Sequence, residues 1–382
     1  MSTPTMRVLY WTDSFWPRIG GSEVAAAVLI EQLRHRGHEF EVVTRQWSPD
    51  QPKTDTWLGV PVHRVPFDDG TFDRLDLQEL LPLRQRVVAI KRQFRPDLVH
   101  VGLTGPSLFL HHFTSGQFPA PMLVTLHVAP TEWEYQTDRP VGEALRKATW
   151  IAPVSHAVAE QVQRRIPDMA GRCTVIHNAL PDPATPLAPP GFAPPRLLCV
   201  GRVTDQKGFD TAIAAMPAVR QAFPDVQLLI AGDGDASASL RELAERLNVA
   251  DCVQLIGWVP PQEVQDLIDS ATLVLMPSRW EPFGLVALQT AQRSRVCLAS
   301  RVDGLPEVVR HEETGLLLPV DEPDQWAAAI SALLRDRQRI ITLGQQAQQW
   351  ASRQFKLSDH VDAYESLYRQ LAGGRCRAEA MA

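Results

Sequence analysis

Short apolar runs alternate with amphipathic stretches along most of the chain. Met6–Trp11 (MRVLYW), apolar apart from Arg7, reads as a strand buried on both faces. It leads through the loop DSFWPRIGGSE into a helix with Val24, Val28, Leu29 and Leu33 on one face, closed by Gly37 just past its end. Phe40–Thr44, Asp97–Val101, Met122–His127 and Trp150–Val154 read as further strands, with helices near 78–94 and 141–148. The cycle then restarts. Strands are expected at Arg196–Gly201, Val226–Ala231, Val253–Ile256, Leu273–Pro277 and Arg295–Ser300. Between them, helices are expected at Gly208–Phe223, Ser237–Leu247 and Val264–Ser270, and from about Phe283.

Repeated strand–helix units imply parallel sheets covered on both faces. The two series are separated by 181–195, where seven of fifteen residues are proline. Each proline fixes φ and removes a backbone donor, so the stretch reads as a linker. The predicted architecture is α/β, with two doubly wound Rossmann-like domains facing across a cleft. The N-terminal domain is 1–180 and the C-terminal domain 196–357; a helix at 358–371 crosses back to the first domain, and 372–382 is a tail. In such sheets ligands bind beyond the carboxyl ends of the strands, so the loops there hold the candidate chemistry.

Composition narrows the class. The 382 residues are 45% hydrophobic and 21% charged, which excludes disordered and collagen-like chains. Apolar runs are too short for a spanning helix and the start lacks a signal-peptide pattern, so a cytoplasmic protein is expected. With 38 basic against 44 acidic side chains, a nucleic-acid binder is not indicated. The five cysteines are scattered without a C-x-x-C pair, which argues against a zinc site or a disulfide framework.

Three loops carry chemistry. Arg18, Gly20, Gly21 and Ser22 stand just before a helix, where paired glycines let backbone N–H groups approach an anion; a plain tight turn with Ser22 as N-cap is the other reading. GRVTDQKG (201–208) holds Arg202 and Lys207, a pair able to clamp a diphosphate from two directions. PSRWEPFGLVALQTA (277–291) places Glu281 before a helix start at Gly284 and Leu285, with Gln289 eight residues later. Helical rise makes that separation about 12 Å, the span from a sugar to a ribose across a diphosphate.

The Gly-Gly loop, GRVTDQKG, AGDGD and EPFGLVAL followed by DGLPEVV, in this order and spacing, resemble glycosyltransferase family 4 over nearly the whole chain. The resemblance implies retaining, nucleotide-sugar-dependent enzymes of the GT-B fold. Arg202 and Lys207 would then bind the donor diphosphate, with the amides at Gly284 and Leu285, and Gly20–Gly21 would close on the donor from the other domain. Glu281 would contact the transferred sugar and His127 would stand near its reacting face. Gly232, Gly257 and Phe283 would line the donor site, with Gln289 meeting the ribose. The family's second glutamate is Gln289 here and its aspartate after the histidine is Val128, which puts nucleotide affinity and local acceptor contacts in doubt.

The expected activity is transfer of a hexose from a nucleotide diphosphate sugar, UDP-linked in preference to GDP- or ADP-linked, to an unidentified glycan, lipid or small-molecule acceptor. The alternative is a non-catalytic nucleotide-sugar-binding subunit that supports a partner transferase. No cofactor and no metal are expected: the pairs Asp233/Asp235 and Asp68/Asp69 imitate acidic metal motifs but read as loop residues. Arg18, Trp133 and Tyr135 are acceptor-side candidates. LRQRVVAIKRQFR (83–95) resembles a basic amphipathic helix able to lie on a membrane, although a core-packed helix with a solvated basic face is the preferred reading.

Overall fold

The N-terminal apolar runs become a seven-stranded sheet: β1 (Arg7–Thr12), β2 (Glu39–Arg45), β3 (Thr54–Trp57), β4 (Val60–Val65), β5 (Leu98–Val101), β6 (Met122–Leu126) and β7 (Trp150–Pro153), in the order β3-β4-β2-β1-β5-β6-β7. Neighbours pair in parallel, with Val8 opposite both Phe40 and Leu98. The exception is the antiparallel hairpin β3–β4, turned through Leu58 and Gly59 at φ 46° and 79°. The sequence hides it, because TDTW is polar and its turn lacks the usual Asn-Gly signal. Helices α1 (Gly21–His35), α2 (Leu77–Phe94), α3 (Pro106–Thr114), α4 (Pro140–Arg146) and α5 (His156–Arg165) accompany this sheet.

The second sheet has β8 (Arg196–Val200), β9 (Gln227–Ala231), β10 (Val253–Gly257), β11 (Leu273–Met276), β12 (Val296–Ser300) and β13 (Gly315–Leu318), all parallel in the order β10-β9-β8-β11-β12-β13. Its helices are α6 (Phe209–Ala222), α7 (Ser237–Arg246), α8 (Pro261–Ser270), α9 (Leu285–Gln292), α10 (Leu305–Val308), α11 (Pro323–Arg335) and α12 (Arg337–Gln354). The apolar faces of α6, α7, α11 and α12 close a core around Trp326, Leu228, Ile230 and Leu298. Strand order reverses between β8 and β11, and in the first sheet between β1 and β5. Such reversals open a crevice at the strand ends.

This computed structural model describes residues 5–67, 77–102, 106–131, 140–183 and 189–379. The chain forms two units, Met1–Asn178 with Ser358–Ala382, and Ala179–Leu357. The proline-rich stretch is thus counted with the second unit, where Phe192 packs on the core and the Thr272 hydroxyl donates to the Gly191 carbonyl at 2.6 Å.

The final helix, α13 (Leu357–Glu379), runs through the segment expected to be a tail from 372. It continues past Gly373 and Gly374, each of which costs a helix about 1 kcal/mol relative to alanine. Its Tyr364 and Tyr368 reach into the first unit. Tyr368 Oη lies 2.5 Å from His100 Nδ1, His100 Nε2 lies 2.7 Å from the Thr125 hydroxyl, and that hydroxyl lies 2.8 Å from Tyr364 Oη. All four side chains are buried, so this network satisfies groups that would otherwise be costly.

The basic face expected over 83–95 is incomplete, because Lys91 is fully buried. Its ammonium donates to the Thr114 hydroxyl at 2.7 Å and to the His111 carbonyl at 3.3 Å. No described helix is long and apolar enough to cross a membrane. Burial pushes the Lys91 ammonium down from its usual 10.5 to about 7. The unfolded chain therefore binds more protons than the folded one between those values, and stability from this group rises with pH across that window. Its cost is greatest below about pH 7. Lys91→Met is expected to raise the thermal midpoint at pH 6 and to flatten the rise toward pH 10. A variant that melts lower than the parent at pH 6 contradicts this account.

Candidate functional site

Glycines let the loops of the second sheet nest. Gly201 and Gly232 both sit at φ 147°, and a Cβ on Gly232 would come within 1.8 Å of the Gly201 carbonyl. The Gly232 N–H donates to Gly257 O at 2.8 Å, joining the loops after β9 and β10. Asp233 Oδ1 accepts from the Gly234 N–H at 2.8 Å, which gives this carboxylate a turn-forming role.

The loop after β8 also meets the loop after β11. Gly208, at φ 59°, lies so close to Pro277 that a Cβ would fall 2.0 Å from its carbonyl oxygen. The Arg279 N–H donates to Gln206 O at 2.8 Å, and Gln206 Nε2 donates to Trp280 O at 3.1 Å. The Arg279 guanidinium bonds Asp210 at 2.7 Å and lies 2.9 Å from Asp321 and 3.2 Å from Asp205. Hydrogen bonding to Asp210 foremost, then the charges of Asp210, Asp321 and Asp205, raise its pKa and hold it charged.

This nesting brings Lys207 onto Glu281. The ammonium lies 2.6 Å from Glu281 Oε2, with the two side chains only 16% and 11% exposed. The Glu281 backbone is fixed as well: its N–H donates to Asp303 Oδ2 at 3.0 Å and its carbonyl accepts from the Gly304 N–H at 3.0 Å. Burial raises the Asp303 pKa, and the nearby Glu281 charge adds to it. Gly284, at φ 100°, caps α9, whose first N–H groups lack partners within the helix. Phe283 is buried edge-on against Phe355 at 5.6 Å. Leu285 opens α9, and Gln289 lies one turn further along it, partly exposed. Glu281 stands before α9 rather than on it, so the separation from Gln289 is part turn and part helix. Arg202 is exposed and has no ion pair among the described residues.

The motif reading treats Lys207 and Glu281 as separate contacts and gives Arg279 and Asp303, which lie within its segments, no role. The acidic pair Asp205 and Asp210 flanking Lys207 is the signal for a second cation, and Arg279 supplies it.

In the first unit, Gly20 caps α1, and the Ser22 hydroxyl donates to Glu23 Oε2 at 3.1 Å rather than capping the helix. Gly21 is the first helical residue. The Arg18 guanidinium lies over the Trp47 ring at 3.9 Å. His127 directly follows β6, and burial first, then nearby His360, push its imidazole down to about 4, so it is neutral at pH 7. Trp133, Tyr135, Asp68 and Asp69 lie outside the described residues.

Comparison with known proteins places this geometry. Residues 192–350 match the model of the glycosyl transferases group 1, and residues 19–182 match that of Glycosyltransferase Family 4. The glycogen synthase of Mycobacterium tuberculosis is 27% identical over 362 residues, covering 87% of this chain and 86% of that protein. An uncharacterised glycosyltransferase of Methanocaldococcus jannaschii is 36% identical over 360 residues, covering 87% of this chain and 90% of the relative. Among solved structures, Anabaena HepE in complex with UDP-glucose superposes with a TM-score of 0.80 at 19% identity, covering 96% of this chain and all of that one.

Proposed function

The chain belongs to the glycosyltransferases of the GT-B fold and family 4 type, and from that premise we propose that it transfers a hexose from a nucleotide diphosphate sugar, a UDP-sugar first, to an acceptor hydroxyl. The observation that carries the reading is the Lys207–Glu281 pair at the switch between β8 and β11, beside the start of α9. A cation and a helix N-terminus there suit a diphosphate, and a neighbouring carboxylate suits sugar hydroxyls. The HepE complex supports UDP-glucose as the first donor to try.

In this proposal Lys207, Arg202 and the amides of Gly284 and Leu285 meet the negative charge that grows on the leaving diphosphate. That is electrostatic stabilisation by groups already in place, and it needs no metal. Glu281 holds the sugar. The bond from the anomeric carbon to the diphosphate oxygen breaks as the bond to the acceptor oxygen forms on the same face. Attack on the face the diphosphate leaves retains the configuration, and the departing phosphate oxygen takes the acceptor proton.

Incubation with UDP-, GDP- and ADP-sugars and simple acceptors tests this, with nucleotide release as the readout and the product's anomeric configuration read by NMR. Release that persists in EDTA, with the axial or equatorial geometry of the donor kept, is expected. Inversion or a strict need for a divalent ion refutes the corresponding step. Gln289 favours a second reading, a nucleotide-sugar-binding subunit without turnover, and nucleotide release excludes it. Gln289→Glu restores a charge-assisted bond and is expected to tighten donor binding by roughly fivefold to tenfold. Calorimetry that finds donor affinity unchanged removes Gln289 from the ribose contact.

A further inference from the structure

Lys207 and Glu281 neutralise each other at the strand reversal between β8 and β11. The ammonium lies 2.6 Å from Glu281 Oε2 and spends one of its three N–H bonds there. The Ser278 hydroxyl lies 3.5 Å from the same oxygen, whereas Oε1 has no hydrogen-bond partner among the described residues. Neither backbone can draw back without breaking other contacts. That of Glu281 is held through its N–H by Asp303 and through its carbonyl by Gly304, at 3.0 Å each. Lys207 leads into Gly208, whose close approach to Pro277 locks the two loops together.

An anion that bonds Lys207 therefore meets Glu281 as well. A phosphate oxygen at the usual charge-assisted distance from the ammonium lies within about 5.5 Å of Glu281 Oε2. That is inside one Debye length, between side chains only 16% and 11% exposed, so salt screens the repulsion little. A bare nucleotide diphosphate draws the counter-charge away from Glu281 and returns nothing, leaving a mostly buried carboxylate under-bonded. A nucleotide sugar draws on the same counter-charge but carries hydroxyls beside the diphosphate. These can donate to Oε1 and to the oxygen that Lys207 shares.

We propose that Glu281 is a selectivity residue: by competing for Lys207 it disfavours a diphosphate that carries no sugar, and so favours departure of the nucleotide once the sugar has been transferred. The sugar half of this rests on the transferase reading above; the competition between Glu281 and an anion for Lys207 does not.

The full chain and its Glu281→Gln and Glu281→Ala variants are titrated calorimetrically with pyrophosphate, UDP and UDP-glucose, and melting curves establish that each is folded. Both variants are expected to bind pyrophosphate and UDP roughly tenfold tighter than the parent, and UDP-glucose no tighter. The ratio of UDP-glucose affinity to UDP affinity then falls at least as far. A Glu281 that only holds the loop together would weaken all three ligands in common, and that result overturns the proposal. An equal gain for UDP and UDP-glucose overturns it too, as does pyrophosphate affinity unchanged in the folded variants. A parent that binds no nucleotide sugar, with variants that still gain pyrophosphate affinity, overturns the donor reading and leaves the competition for Lys207 standing.

Discussion

Replacing Lys207 by alanine is expected to lower kcat by about 10²–10³-fold, the scale seen when one charge-stabilising donor is taken from a transition state. Two effects combine. The leaving diphosphate loses the cation that meets it, and Glu281 is left as a mostly buried carboxylate without its counter-charge. Breaking one side of a well-buried pair costs about 3–5 kcal/mol, and the partial exposure of this one discounts that figure. The thermal midpoint should therefore fall along with turnover. Lys207→Met combined with Glu281→Gln separates the two: neutralising both partners should recover much of the stability while turnover stays low. A single variant with parental kcat would remove Lys207 from the chemistry.

Gly208→Ala should be among the most damaging of the small-residue changes. The position has φ 59°, and the added methyl would lie 2.0 Å from the backbone oxygen of Pro277. The left-handed conformation alone costs an L-residue roughly 1–2 kcal/mol. The clash is with backbone, which no side-chain rotation relieves. The loops after β8 and β11 must part, and Lys207 is the residue next to the break. A loss of donor binding with a fall of several degrees in melting temperature is expected. Gly37→Ala is the control, because Gly37 also has positive φ, at 92°, but open space around it. If the two variants melt alike, the interlocking of the loops contributes nothing.

The fold was largely legible because strands buried on both faces leave apolar runs, as in VLYW and LLCV. The β3–β4 hairpin escaped because TDTW is an exposed edge with no apolar row to mark it. At the site, Lys207 and Glu281 were legible as motif residues, but their bond was not. Residues 74 positions apart meet only because Gly208 permits a close approach, which is a property of three dimensions. Arg279 escaped for a related reason: its carboxylates come from Asp205, Asp210 and Asp321, which are scattered along the chain.

The closing helix sets an order of assembly. Residues 179–357 form one continuous unit, whereas the first unit needs 358–382 as well. During synthesis the second unit in sequence is thus the first to have all its parts. Until Tyr364 and Tyr368 emerge, His100 and Thr125 have no tyrosine to bond, and the surface that receives them stays open to water. A ribosome that stops at residue 357 releases a finished C-terminal half tethered to an unfinished N-terminal one.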